Sequence, residues 1–294
     1  MRLVQQEQLL KRLKKRRILN AASNYFFMLM IGFALVCLSI LLIRIFSQGI
    51  GYISFDFFQN FASRIPENAG IKAALIGSLC LMAITGPLAI ILGIGTAIYL
   101  VEYAKETKVN QFIQMNIANL AGVPSIIFGL LGLTIFVRLF DLGKSLLAAG
   151  FTMTLLILPI IIVATQEALK AVSQEQRDAS YAMGATKWQT IVHIVVPAAL
   201  PSMLTGCILA CSRAIGETAP LVVIGIPVIL QFLPTDLLST FTTLPMQIFD
   251  WAKRPQEQFQ YVAAAGIIVL MLILIAMNSI AIFIRYKMQK KQKG

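Results

Sequence analysis

Residues 73–100 read AALIGSLCLMAITGPLAIILGIGTAIYL, without one acidic, basic or histidine side chain. The run exceeds the roughly 18 apolar residues that mark a membrane span. It is apolar throughout rather than alternating, the pattern of a helix in hydrocarbon and not of a barrel strand. Working outward, similar runs occur at about 21–46, 112–140, 147–165, 199–229 and 260–284. Of the 294 residues, 58% are hydrophobic and 13% charged, whereas soluble domains carry roughly a quarter charged residues. The mean hydropathy is +0.80. A soluble domain is excluded, and the expected fold class is all-α, a polytopic membrane protein with about six transmembrane helices.

Proline and glycine interrupt several of these runs, at Gly86-Pro87, Pro124, Pro159, Pro220 and Pro227. Breaks of this kind are tolerated where neighbouring helices or a water-filled cavity satisfy the freed backbone. They fit a transport pathway and kinked packing equally. The segment Gly122-Val-Pro-Ser-Ile-Ile-Phe-Gly-Leu-Leu-Gly132 is dense in small residues, which let helices approach closely.

The net charge of +12 would suggest nucleic acid in a soluble protein. Here the basic residues flank the spans, where they set orientation and meet membrane lipid, so no nucleic-acid partner is expected. Six spans put both termini on one side. The amino tail, the 101–111 and 166–196 loops and the carboxyl tail hold 17 Lys and Arg residues against 7 on the other side. That bias predicts both termini in the cytoplasm. The expected organisation is a basic cytoplasmic tail at 1–20, a transmembrane domain at 21–284 carrying the 166–196 loop, and a basic cytoplasmic tail at 285–294. The start Lys11-Arg12-Leu13-Lys14-Lys15-Arg16-Arg17 precedes an apolar run too long for a signal peptide, so no cleaved leader is expected.

Two places carry candidate function. The 166–196 loop reads as two short amphipathic helices separated near Gly184, with Asp178-Ala179-Ser180 beginning a turn. Gly184 can take a positive φ there, and Trp188 with Ile191 offers an apolar knob. Such a surface is covered either by a partner or by the membrane domain itself. Arg213-Ala-Ile-Gly-Glu217 falls in the middle of the fifth run, about mid-bilayer. An arginine at a helix centre costs at least about 2.5–3.5 kcal/mol on insertion scales. Glu217, one turn on, can pair with it. The pair is either structural or part of an anion path, since guanidinium matches phosphate bidentately.

Catalysis and cofactor binding find no support. Gly143-Lys144-Ser145 resembles the end of a phosphate-binding P-loop, but the required first glycine would stand where Arg138 does. The single histidine, His193, has no nucleophile constellation around it. Cys37, Cys80, Cys207 and Cys211 all lie in apolar segments and read as small packing residues, with no metal site expected.

The 166–196 loop resembles the coupling loop of ABC-importer permeases, whose pattern is Glu-Ala-Ala, three residues, Gly, nine residues, Ile, one residue, Leu-Pro. Here Asp178-Ala179-Ser180, Gly184, Ile194 and Val196-Pro197 keep both spacings, with Asp for Glu, Ser for the second Ala and Val for Leu. The stretches at 122–129, Arg213-Ala-Ile-Gly-Glu-Thr-Ala-Pro220 and Leu244-Pro-Met-Gln-Ile-Phe-Asp-Trp-Ala-Lys-Arg-Pro255 are similar to phosphate-importer permeases of the Pst type, the A subunit rather than its paired C subunit. The similarity covers roughly residues 20–290.

The resemblance implies a type I ABC importer permease fold in a bacterial or archaeal cytoplasmic (inner) membrane. It further implies a heterodimer with a paralogous permease, two ATP-binding subunits that carry ATP and Mg, and an extracytoplasmic phosphate-binding protein. Asp178, Ala179, Ser180, Gly184, Trp188, Ile194 and Pro197 would couple the chain to the ATPase, and Arg213 and Glu217 would line or gate the anion path. The chain itself would be non-catalytic and hold no cofactor. The rival readings are a permease for sulfate or molybdate, a stand-alone transporter or channel, and a signalling subunit.

Overall fold

The structure, a computed structural model, describes residues 2–293, with side chains described outside 2–12, 14, 15, 18 and 289–293. Among the described residues it is built of helices without strands. In chain order these are α1 (Arg2–Gly49), α2 (Phe55–Gln59), α3 (Lys72–Ile98), α4 (Lys108–Leu120), α5 (Ser125–Gly132), α6 (Leu146–Lys170), α7 (Gln174–Ala182), α8 (Lys187–Thr190), α9 (Val196–Gly216), α10 (Ala219–Ile224), α11 (Leu244–Lys253) and α12 (Glu257–Lys293). Wide π-type turns at Tyr99–Tyr103, Leu133–Leu139 and Ile191–Val195 extend α3, extend α5 and join α8 to α9. Five continuous stretches are long and apolar enough to cross a membrane: Leu19–Tyr52, Lys72–Tyr103, Leu146–Lys170, Lys187–Gly216 and Glu257–Met288. The pair Lys108–Leu120 and Ser125–Leu139 makes a sixth if taken as one broken span.

The expected run 112–140 is therefore not one straight span, because its two halves meet at 105°. Pro124 is responsible: the residue before a proline is pushed out of the helical region, and Pro124 itself caps α5 in an extended conformation. Pro87 and Pro159 behave differently, since α3 and α6 run through them unbroken. Each removes one backbone bond from a helix that packing on its neighbours keeps intact.

The fifth span also differs from expectation. It begins at Lys187 and ends at Gly216, instead of running 199–229. Beyond it the chain turns at Glu217, re-enters α10 with Pro220 in the first turn, and leaves through Gly225 at φ +78°. Pro220 sits where its missing N–H has no helical partner to lose. The fourth span runs to Lys170, past the expected 165. The amino-terminal residues from Arg2 are helical and run on into the candidate span that begins at Leu19.

The core is α6, with α3 along one side and α9 along another. Leu81, Ala89, Phe128, Met153, Ile157, Ile161, Cys207, Ala210 and Leu221 meet in its largest apolar cluster. α12 packs on α1, α9 and α11. A strap from 226 to 243 crosses the end of the bundle, held where the backbone N–H groups of Leu146 and Leu147 donate to the carbonyls of Ser239 and Leu237 at 3.1 and 2.9 Å.

Candidate functional site

The loop joining α6 to α9 is a helical hairpin. α7 closes with the C-terminal motif that glycine permits: Gly184 N–H donates to Tyr181 O at 2.9 Å and Ala185 N–H to Ser180 O at 3.2 Å, with Gly184 at φ +85°. Thr186 then starts α8 with a capping box, its hydroxyl accepting from Gln189 N–H while Gln189 Oε1 accepts from Thr186 N–H. The hydroxyls of Ser180 and Thr190 lie 2.9 Å apart and fix the angle between α7 and α8.

Several expectations need correction here. Asp178-Ala179-Ser180 does not begin a turn but lies inside α7, and the turn comes at 183–186. The second helix is not short, since α8 runs without a break into the span that ends at Gly216. Trp188 is exposed at 63%, but Ile191 is 1% exposed and belongs to no exposed knob, because α7 packs over the 191–195 turn.

The two halves of the spacing pattern meet in space. Ala179 and Ser180 from α7, and Ile194 and Pro197 from the start of the span, line one groove of about 800 Å³ with Met183 and His193. Asp178 stands exposed beside them, accepting a bond from Gln174 Nε2 at 3.0 Å. Trp188 does not line the groove.

Sequence reasoning missed the strongest ion pair of this region. Arg177 Nη1 donates to both Glu102 oxygens at 2.7 and 2.8 Å, and its Nη2 donates to Leu169 O at 2.9 Å. The two side chains are only 12% and 5% exposed. Removing one member of such a buried pair costs about 3–5 kcal/mol, because the other charge is left unpaired. The readable signal was Glu102, the first acidic residue after the long uncharged run 73–100.

Arg213 occupies the last turn of α9 rather than the middle of a span. Its depth follows from neighbours: Ser212 donates to Asn278 Oδ1 at 2.6 Å and Arg285 Nη1 donates to Thr205 at 2.9 Å, so α9 runs antiparallel to α12. Arg213 thus sits level with the interior of the span Glu257–Met288. The helix stops there, and its terminal carbonyls favour a cation. Glu217 is not on the same helical face, being an extended residue just past the helix end. It still reaches Arg213, at 3.9 Å, the longest ion pair among the described residues. The Arg213 side chain is 43% exposed and makes no other bond among the described residues, so most of its donors are uncommitted. Glu217 also lines a cavity of about 10 Å³ with Ser78 and Thr243.

Residues 89–289 match the family of binding-protein-dependent transport system inner membrane components. The chain belongs to this family. It is a multi-pass inner-membrane protein and a membrane subunit of a transport system. Among relatives, the phosphate transport system permease protein PstA 1 of Mycobacterium tuberculosis is 30% identical over 95% of this chain and 91% of its own. The PstA protein of Mycobacterium leprae is 34% identical over 89% and 86%. Among solved structures, a bacterial alginate ABC transporter in complex with an alginate-bound periplasmic protein matches with a TM-score of 0.62 at 14% identity, covering 92% of this permease and 96% of that chain. That likeness is one of fold.

Proposed function

We propose that this permease is the A-type membrane subunit of an ATP-driven phosphate importer and forms half of its transmembrane path. The observation that carries the reading is Arg213, half-exposed inside the apolar layer, at a helix end, with one loose partner. An intramembrane arginine of this kind is a functional site by default, and full-length similarity to phosphate permeases supports the anion. Arg213 lowers the electrostatic cost of an anion where hydration is poor. Glu217 steadies the guanidinium and keeps the anion from binding too tightly to leave.

In this reading a paralogous permease supplies the other half of the path and an extracytoplasmic binding protein delivers phosphate. Two ATP-binding subunits hold ATP and Mg, and the chain itself is non-catalytic. The 166–196 hairpin, with Asp178, Trp188 and the groove at Ala179, Ser180, Ile194 and Pro197, docks on an ATP-binding subunit. Both termini lie in the cytoplasm of a bacterial or archaeal cell.

The test is uptake of labelled phosphate by cells carrying Arg213→Gln at normal membrane levels. Uptake is expected to fall at least about tenfold, the loss of one transition-specific interaction of about 1.4 kcal/mol. Unchanged uptake makes the pair a packing device and removes it from the path. Uptake that persists without the ATP-binding subunits points to a stand-alone transporter, and competition by sulfate or molybdate to a broader oxyanion site.

A further inference from the structure

The cytoplasmic end of α3 holds both arms of the coupling hairpin. Glu102 takes Arg177 of α7 in a buried, two-oxygen contact at 2.7 and 2.8 Å. The next residue, Tyr103, lies under Lys187 of α8, whose Nζ is 5.1 Å from the ring centroid. Both contacts come from the π-type turn Tyr99–Tyr103, a local widening of the kind that concentrates at functional positions. The same guanidinium also caps the Leu169 carbonyl in the last turn of α6.

Beneath these contacts three spans meet. Leu169 of α6, Val195 of the 191–195 turn, and Ala199 and Met203 of α9 form one apolar cluster, with Ile98 and Val101 of the α3 end packed against it. A push on α7 is therefore not confined to the chain that follows it. It reaches α3 through Glu102, α6 through the Leu169 carbonyl, and α9 through the shared cluster.

We infer that the Glu102–Arg177 pair is a transmission latch, locking the coupling hairpin to the ends of α3 and α6 so that all move as one body. The inference rests on the reading of the hairpin as the dock for an ATP-binding subunit. Glu102 and Arg177 are positioning residues: they touch neither nucleotide nor anion. Burial gives the latch its stiffness, because neither charge can leave its partner without entering an environment poor in water. A flexible surface pair, such as Lys170–Glu167 at 3.4 Å with both side chains more than half exposed, could not transmit force in this way.

The experiment uses the assembled transporter in proteoliposomes and reads phosphate taken up per ATP hydrolysed. If the wild-type complex moves no phosphate, the proposed substrate fails before any variant is compared; the latch is judged only by differences from a working wild type. Glu102→Gln and Arg177→Gln are each expected to lower the ratio about tenfold, within the range of coupling between linked sites, while the ATP-binding subunits still copurify and hydrolyse ATP. An unchanged ratio in either stably assembled variant overturns the latch. So does loss of the ATP-binding subunits from both, which would make the pair a staple for the shape of the loop.

A second arm does not depend on those variants folding well. Glu102→Cys with Arg177→Cys, in a chain whose Cys37, Cys80, Cys207 and Cys211 are replaced by alanine, can be bridged by a short bifunctional thiol reagent. Bridging is expected to restore the ratio lost in the unbridged double variant. Bridging that stops uptake while hydrolysis continues would show that the two ends must part during transport, and overturns the inference.

Discussion

Gly184 shows how much a single residue of the hairpin decides. Its φ of +85° lies in the left-handed region, and nothing stands within 4 Å of where a Cβ would go. Gly184→Ala therefore meets only backbone strain, of about 1 kcal/mol, and is expected to leave uptake per ATP near wild type. Gly184→Pro is another matter. Proline is locked near a φ of about −65° and removes the N–H that donates to Tyr181 O. It should re-aim α8 and cut uptake per ATP while the chain still inserts, measured in the same proteoliposomes; normal coupling in a stably inserted Gly184→Pro chain removes the hairpin's role. The need for glycine here was legible in the sequence, as was an exposed Trp188. Burial of Ile191 was not, because it depends on α7 folding back across the 191–195 turn.

Among elements, the bent pair α4–α5 departs furthest from a hydropathy reading. Apolar content continues across Pro124, yet the chain turns through 105°. What holds α5 in place is contact without side-chain volume: a Cβ on Gly132 would overlap the Thr152 side chain, and one on Gly129 would lie 2.8 Å from Pro220 Cα. The small-residue segment at 122–132 is thus a packing surface for α6 and α10. Gly132→Leu forces that surface apart and is expected to destabilise by at least about 1–3 kcal/mol. The readout is a lower melting temperature of the detergent-solubilised permease. Gly122→Ala, whose Cβ meets only Asn119 O at 3.5 Å, should melt as wild type and serves as the control. Equal melting of both variants would mean that α5 yields at no cost.

Across the whole molecule, the hairpin and the 226–243 strap lie at opposite ends of α6: the strap bonds to Leu146 and Leu147 at its start, and the hairpin follows Lys170 at its end. Charge counting predicts that the hairpin end faces the cytoplasm. In a chain lacking native cysteines, Met183→Cys, at an 88% exposed position, should react with an impermeant thiol reagent only from the cytoplasmic side. Leu238→Cys on the strap should react only from outside, and the reverse pattern would invert the orientation.

The sequence by itself determined that this chain crosses a membrane repeatedly, because hydropathy is a local quantity that adds up along each run. It also placed Gly184 and its spacing to Ile194 and Pro197 on one loop, since these are read along the chain without knowledge of any neighbour. Only the tertiary structure decided that α9 stops at Gly216, leaving Arg213 at a helix end with Glu217 beyond it. The same holds for Glu102, whose partner Arg177 lies 75 residues away. A helix ends, and a buried charge is tolerated, where surrounding elements supply hydrogen-bond partners and exclude water. Those partners come from distant parts of the chain, so no local pattern in the sequence announces them.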